Sequence, residues 1–174
     1  ADGYSIAGPR LMGRQSAGLG FLRAVAEQAG SSVLSGFGPI AASKTSFAEQ
    51  VARFNPNART QWIGTREVER LAAQGHIYVP DPNIGEFARL RLTTGPASFS
   101  ITGVTHTTAS SAVMNFLADY VHAPVMSWDA LICTSASVKQ TVSTILGAAQ
   151  DYAQWRFGGR IPGEPLLPVI PLGV

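Results

Sequence analysis

Ser100-Ile101-Thr102-Gly103-Val104-Thr105-His106-Thr107-Thr108 decides the reading of this chain. Its first half has the β-branched, apolar character of a buried strand, and its second half is a turn crowded with hydroxyl groups. The stripe Ala112, Val113, Phe116, Leu117 and Tyr120 then follows at helical spacing. A strand that passes through a short polar turn into a helix is half of a crossover unit, and crossovers join parallel strands.

The same alternation extends in both directions. Strand candidates at residues 4–7, 32–34, 61–63 and 76–79 precede the one at 99–104, and 130–133 and 167–170 follow it. Between them lie helical stripes: Leu22, Val25, Ala26 and Ala29; Phe47, Val51 and Phe54; and Val138, Val142, Ile145, Leu146 and Ala149. Ser46-Phe47-Ala48-Glu49 has the form of a capping box and predicts the start of the second helix there. This pattern predicts an α/β fold, a Rossmann-like three-layer sandwich with a mainly parallel sheet. Residues 81–95, with Pro82, Gly85 and the adjacent Pro96, are less regular and predict an extra strand or a surface excursion. The tail after Trp155, rich in Gly and Pro, reads as linker plus one short strand. Residues 1–166 are expected to form one domain, and residues 167–174 to open a linker.

Composition narrows the function classes. The 174 residues suffice for one domain with a substantial core. Hydrophobic residues make up 45% and charged residues 14%, which fits a sheet covered on both faces and excludes disorder. The formal net charge is +2, and Lys and Arg are scattered without a basic cluster, so nucleic acid is not an expected partner. Cys133 is the single cysteine, which leaves no internal disulfide and no cysteine-based metal site. No stretch has the length of a membrane span, and Ala1-Asp2-Gly3 lacks the pattern of a signal peptide. A cytoplasmic location is the expectation.

Ligands of open parallel sheets bind beyond the carboxyl ends of the strands. Two segments at such ends carry unusual chemistry. Gly13-Arg14-Gln15-Ser16-Ala17-Gly18-Leu19-Gly20 is read as a loop between the first strand and first helix. It lacks the Lys-Ser/Thr of a phosphate-binding P-loop, the third glycine of a dinucleotide fingerprint and the spacing of a hydrolase elbow. What remains is a generic anion-accepting loop, or glycines that only permit close packing. In the second segment, His106 stands at the rim, where an imidazole can donate a hydrogen bond to a substrate hydroxyl or phosphate. Thr105, Thr107 and Thr108 are placed to orient the ring or cap the next helix. His76, His122 and Cys133 are read as structural, Asp119 and Asp129 as solvated or capping residues at helix and strand ends, and Trp62, Trp128 and Trp155 as packing residues.

These motifs, in order, resemble the N-terminal domain of GT-B glycosyltransferases, specifically the retaining group often called family 4 or group 1. Ser16-Ala17-Gly18-Leu19-Gly20 before Phe21-Leu22-Arg23-Ala24 resembles the family's first loop and helix. Gly103-Val104-Thr105-His106-Thr107 resembles its segment with a cleft-facing histidine. Trp128-Asp129-Ala130-Leu131-Ile132-Cys133-Thr134-Ser135 resembles a later strand and helix start, and Val169-Ile170-Pro171-Leu172-Gly173-Val174 the linker strand. The loop departs from the commoner double-glycine form, with Ala17-Gly18 in that place.

The resemblance implies transfer of a sugar, with retention, from a nucleotide-sugar donor to an acceptor, without a required metal or other cofactor. This domain then shapes the acceptor side, and a C-terminal domain absent from the given sequence holds most donor contacts, so the fragment alone is expected to be inactive. It implies donor phosphate contacts from Gly18, Leu19 and Gly20, a catalytic role for His106, and acceptor contacts from Arg14, Gln15, Ser16 and Thr107. A lipid acceptor would bring the enzyme to a membrane surface. The alternatives are a non-catalytic nucleotide- or anion-binding α/β module, a purely structural or interaction domain, and a sugar epimerase of the same plan, which would need carboxylates at the cleft.

Overall fold

The computed structural model describes residues 13–39, 41–159 and 163–171. It shows an α/β protein of Rossmann-like character in which every strand pairing is parallel. The chain divides into two compact units, residues 1–71 and 72–174. The expected strand at residues 4–7 lies outside the described residues.

In the first unit, helix α1 (Gly13–Gln28) leads to β1 (Val33–Gly38), α2 (Ala41–Phe54) and β2 (Arg59–Gly64). β1 and β2 form a two-stranded parallel sheet with Val33 opposite Arg59 and Gly38 opposite Gly64. Leu22, Ala26 and Val51 form the buried core, with Leu34, Phe47, Phe54 and Ala58 packed against it, as the helical stripes predict. Gly36 is required by this packing: a Cβ there would fall 2.7 Å from the Trp62 ring and 3.1 Å from Phe47. Two expectations are corrected. The Gly13 to Gly20 segment is not a loop but the first turns of α1. The second helix starts at Ala41 rather than at Ser46, whose hydroxyl instead accepts a bond from Gln50 Nε2 one turn on, at 3.1 Å. The small residues upstream of Ser46 support helix well enough to carry it past the capping signal.

Helix α3 (Val68–Ala72) closes the first unit at Leu71, and the second unit then holds β3 (His76–Val79), α4 (Ile84–Arg91), β4 (Ser100–Thr105), α5 (Ser111–Asp119), β5 (Ala130–Cys133) and α6 (Ala136–Phe157). The sheet order is β3-β4-β5, all parallel, and Leu166 and Val169 of the tail continue it beside Ala130 and Cys133. Val79, Ile101, Val104, Leu117, Leu131, Val142 and Leu146 are buried. Residues 81–95, expected to be a strand or an excursion, contain α4. Its buried positions are Ile84, Gly85, Ala88 and Arg91, and the charge at the fourth of these hides the amphipathic stripe.

Arg91 is fully buried because Asp129 meets it with both oxygens, at 2.7 and 2.8 Å. The guanidinium also donates to the carbonyls of Phe99 and Pro124, and the Asp129 carboxylate accepts from the amides of Ile101 and Met126. Solvation or capping was the expectation for Asp129; instead it ties α4, β4 and the approach to β5 together. Asp119 likewise does more than border a helix, forming a two-pronged pair with Arg89 at 2.6 and 2.7 Å.

Candidate functional site at the carboxyl edge of the second sheet

Because β3, β4 and β5 run the same way, with Val79 opposite Gly103 and Thr105 opposite Cys133, they all end at one edge of the sheet. Pro80 and Asp81 leave β3 there, His106 to Thr108 leave β4, and Thr134 and Ser135 leave β5. The N-termini of α5 and α6 start at the same edge. Ser110 caps α5 by accepting from the Val113 amide at 3.3 Å, and Ser135 caps α6 by accepting from Val138 at 3.1 Å. Each helix directs partial positive charge toward this rim.

His106 is the first residue beyond β4; its ring is half-buried, and both nitrogens are sheltered from solvent. Thr105 is fully buried and donates its hydroxyl to the Ile132 carbonyl at 3.0 Å, a bond that fixes β4 to β5 directly beneath His106. Thr107 is exposed, and its hydroxyl accepts from the Ala109 amide at 3.2 Å. The helix-capping role considered for these threonines thus belongs to Ser110.

Asp81 is half-buried in a tight turn, where Oδ1 accepts from the Asn83 amide at 2.9 Å. The turn is clamped from two sides. The buried Tyr120 hydroxyl donates to the Pro82 carbonyl, and Gly103 lies so close beneath that a Cβ would stand 2.9 Å from the Asp81 carbonyl oxygen. Burial, and then the nearby Asp81 charge, push the Tyr120 hydroxyl far above the ordinary phenol value, so it remains a donor.

The other expected site residues lie elsewhere. Gly18, Leu19 and Gly20 stand inside α1, more than four residues past its first described position. Their amides therefore bond to carbonyls of the preceding turn and do not face a ligand. Arg14, Gln15 and Ser16 belong to the same helix, described by backbone only.

No known protein family, characterised protein or solved structure matches this chain.

The residues read as structural take varied places. Cys133 is fully buried, and burial raises its thiol. His76 sits at the opposite, amino edge with Nδ1 2.9 Å from Ser100 Oγ, and His122 meets the Phe157 ring edge-on. Trp62 packs on Phe47 and donates to the Gly38 carbonyl. Trp155, expected to pack, is 78% exposed and corrects that reading. Among the described residues no group of His, Cys, Asp or Glu is arranged to hold a metal, and no helix is long and apolar enough to cross a membrane. The rim residue missed in the sequence is Asp81. Its signal was Pro80-Asp81-Pro82-Asn83 directly after an apolar strand, a turn sequence where strand ends carry chemistry.

Proposed function

We propose that this chain supplies the acceptor-side half of a retaining glycosyltransferase that draws on a nucleotide-sugar donor. The observation that carries the reading is the position of His106, the first residue past the middle strand of a parallel sheet, at the edge where two serine-capped helices start. Parallel α/β sheets present ligands at this edge. In this reading the His106 ring turns out from the shelter that its nitrogens have here to donate a hydrogen bond to a hydroxyl of the transferring sugar, and Thr107 faces the acceptor. Gly18, Leu19 and Gly20 have no phosphate role in this reading, because helix α1 already uses their amides.

The test is consumption of nucleotide sugars by the full-length protein that contains this chain. UDP-, GDP- and ADP-linked hexoses are supplied, and release of nucleoside diphosphate is followed. One donor class is expected to be consumed, and failure with all three overturns the proposal. Asp81 is the observation that favours a second reading, since a sugar epimerase of this plan needs carboxylates at its cleft. Product analysis separates the two: a glycoside of retained configuration supports the transferase, and a free epimerised sugar supports the epimerase.

A further inference from the structure

We propose that Asp81 orients the acceptor by accepting a hydrogen bond from one of its hydroxyl groups, beside the strand that carries His106. This rests on the transferase reading above.

The case begins with position. Asp81 leaves β3 two residues past Val79, and His106 leaves the adjacent strand β4 three residues past Gly103, the partner of Val79. Both residues therefore leave the sheet at its carboxyl edge, on neighbouring strands.

The second observation is the investment in holding this turn still. The Tyr120 hydroxyl fastens the Pro82 carbonyl, the Asn83 amide fastens Asp81 Oδ1, and Gly103 alone permits the turn to lie on the sheet. A carboxylate held by its backbone and one oxygen is pre-organised for a ligand at the other. That second oxygen has no partner among the described residues and is open to solvent. The ion pairs of this unit, Arg89 with Asp119 and Arg91 with Asp129, engage both carboxylate oxygens. Asp81 forms no such ion pair among the described residues and bonds through one oxygen, as Glu86 and Glu164 do; what sets it apart is its place directly past a strand end.

Chemistry then selects the ligand. An ionised carboxylate only accepts hydrogen bonds, so it suits a neutral hydroxylated acceptor and repels a phosphate or carboxylate. The acceptor presents a sugar-like hydroxyl, not an anionic group, to this part of the rim.

Asp81→Asn is the decisive variant, because its side-chain oxygen still serves the Asn83 amide while the charge is lost. Binding of methyl glycosides of glucose, galactose, mannose and N-acetylglucosamine to the full-length protein is measured by saturation-transfer NMR. Nucleotide-sugar consumption and Tm are followed in parallel. The expected result is that at least one glycoside binds the wild type and loses about tenfold or more in affinity in Asp81→Asn, with Tm unchanged. Tyr120→Phe, which frees the turn, weakens the same glycoside less. Equal binding to wild type and Asp81→Asn, or no glycoside binding at all, overturns the assignment while donor consumption leaves the transferase reading standing. Failure of the wild type to consume any donor overturns both.

Discussion

The two edges of the second sheet carry similar residues and use them differently. At the amino edge, Asp129 is enclosed with Arg91 and takes two backbone amides besides, and His76 is hydrogen-bonded to its cross-strand neighbour Ser100. At the carboxyl edge, Asp81 keeps one oxygen open, and His106 stands where the chain turns from strand to helix. The difference teaches that residue type is a poor guide to role in this fold. Asp129 at the amino edge is used up by its ion pair and two backbone amides, whereas Asp81 at the carboxyl edge bonds through one oxygen and leaves the other to the proposed site.

The largest effect belongs to the amino edge. Asp129→Ala leaves a buried guanidinium unpaired and should cost about 3–5 kcal/mol, read by denaturant unfolding. Loss of under about 1 kcal/mol, the level of an exposed pair, would break the comparison at its root.

Gly103→Ala comes next and sits between the edges. Its new Cβ meets Ile84 Cγ2 at 2.6 Å and the Asp81 carbonyl at 2.9 Å. Overpacking of this kind costs about 1–3 kcal/mol, and the displaced turn should also weaken ligand binding. A stability loss with ligand binding intact would show that the Asp81 turn is not part of the site.

His106→Ala sharpens the contrast from the other side. On the proposed transferase reading, turnover by the full-length protein should fall about tenfold or more, the loss of roughly 1.4 kcal/mol in transition-state stabilisation, with Tm nearly unchanged. Equal losses in Tm and activity would return His106 to a structural role.

Gly20→Ala tests the segment once read as a loop. Nothing lies within 4 Å of a Cβ at Gly20, so inside a helix the change should stabilise by about 0.5–1 kcal/mol. Destabilisation would mean that this position needs glycine after all.

The smallest effect is the pH dependence at His76. Burial holds its imidazole below the ordinary 6.5, partly offset by the Asp129 charge. The unfolded chain therefore takes up the proton first as pH falls. The stability linked to this group is complete above pH 6.5 and declines as pH drops toward the folded value. His76→Gln should flatten that slope by less than about 1 kcal/mol once solvent screening is counted.

The strand and helix alternation was legible because apolar residues recur at fixed periods, and the stripes through Leu22, Val51, Leu117 and Val142 lead into the core. Helix α4 was not, because its buried face ends in Arg91, whose partner lies 38 residues away. Asp129 was misread for the same reason, since only the fold shows that the two charges meet. The glycines at 13, 18 and 20 favoured a loop, yet α1 takes them in; buried contacts from Leu22 and Ala26 a turn further on offset their low propensity. At the carboxyl edge, position after a strand was the better signal. It located His106 and, had Pro80-Asp81-Pro82 been read the same way, would have located Asp81.

The most direct test of this division between edges is hydrogen-exchange mass spectrometry on the full-length protein, with and without each of the UDP-, GDP- and ADP-linked hexoses. Protection is expected at residues 80–84, 105–111 and 134–138, with the amino-edge segments 75–77 and 127–130 unchanged. Protection confined to the amino edge, or to residues 13–20, would contradict the account.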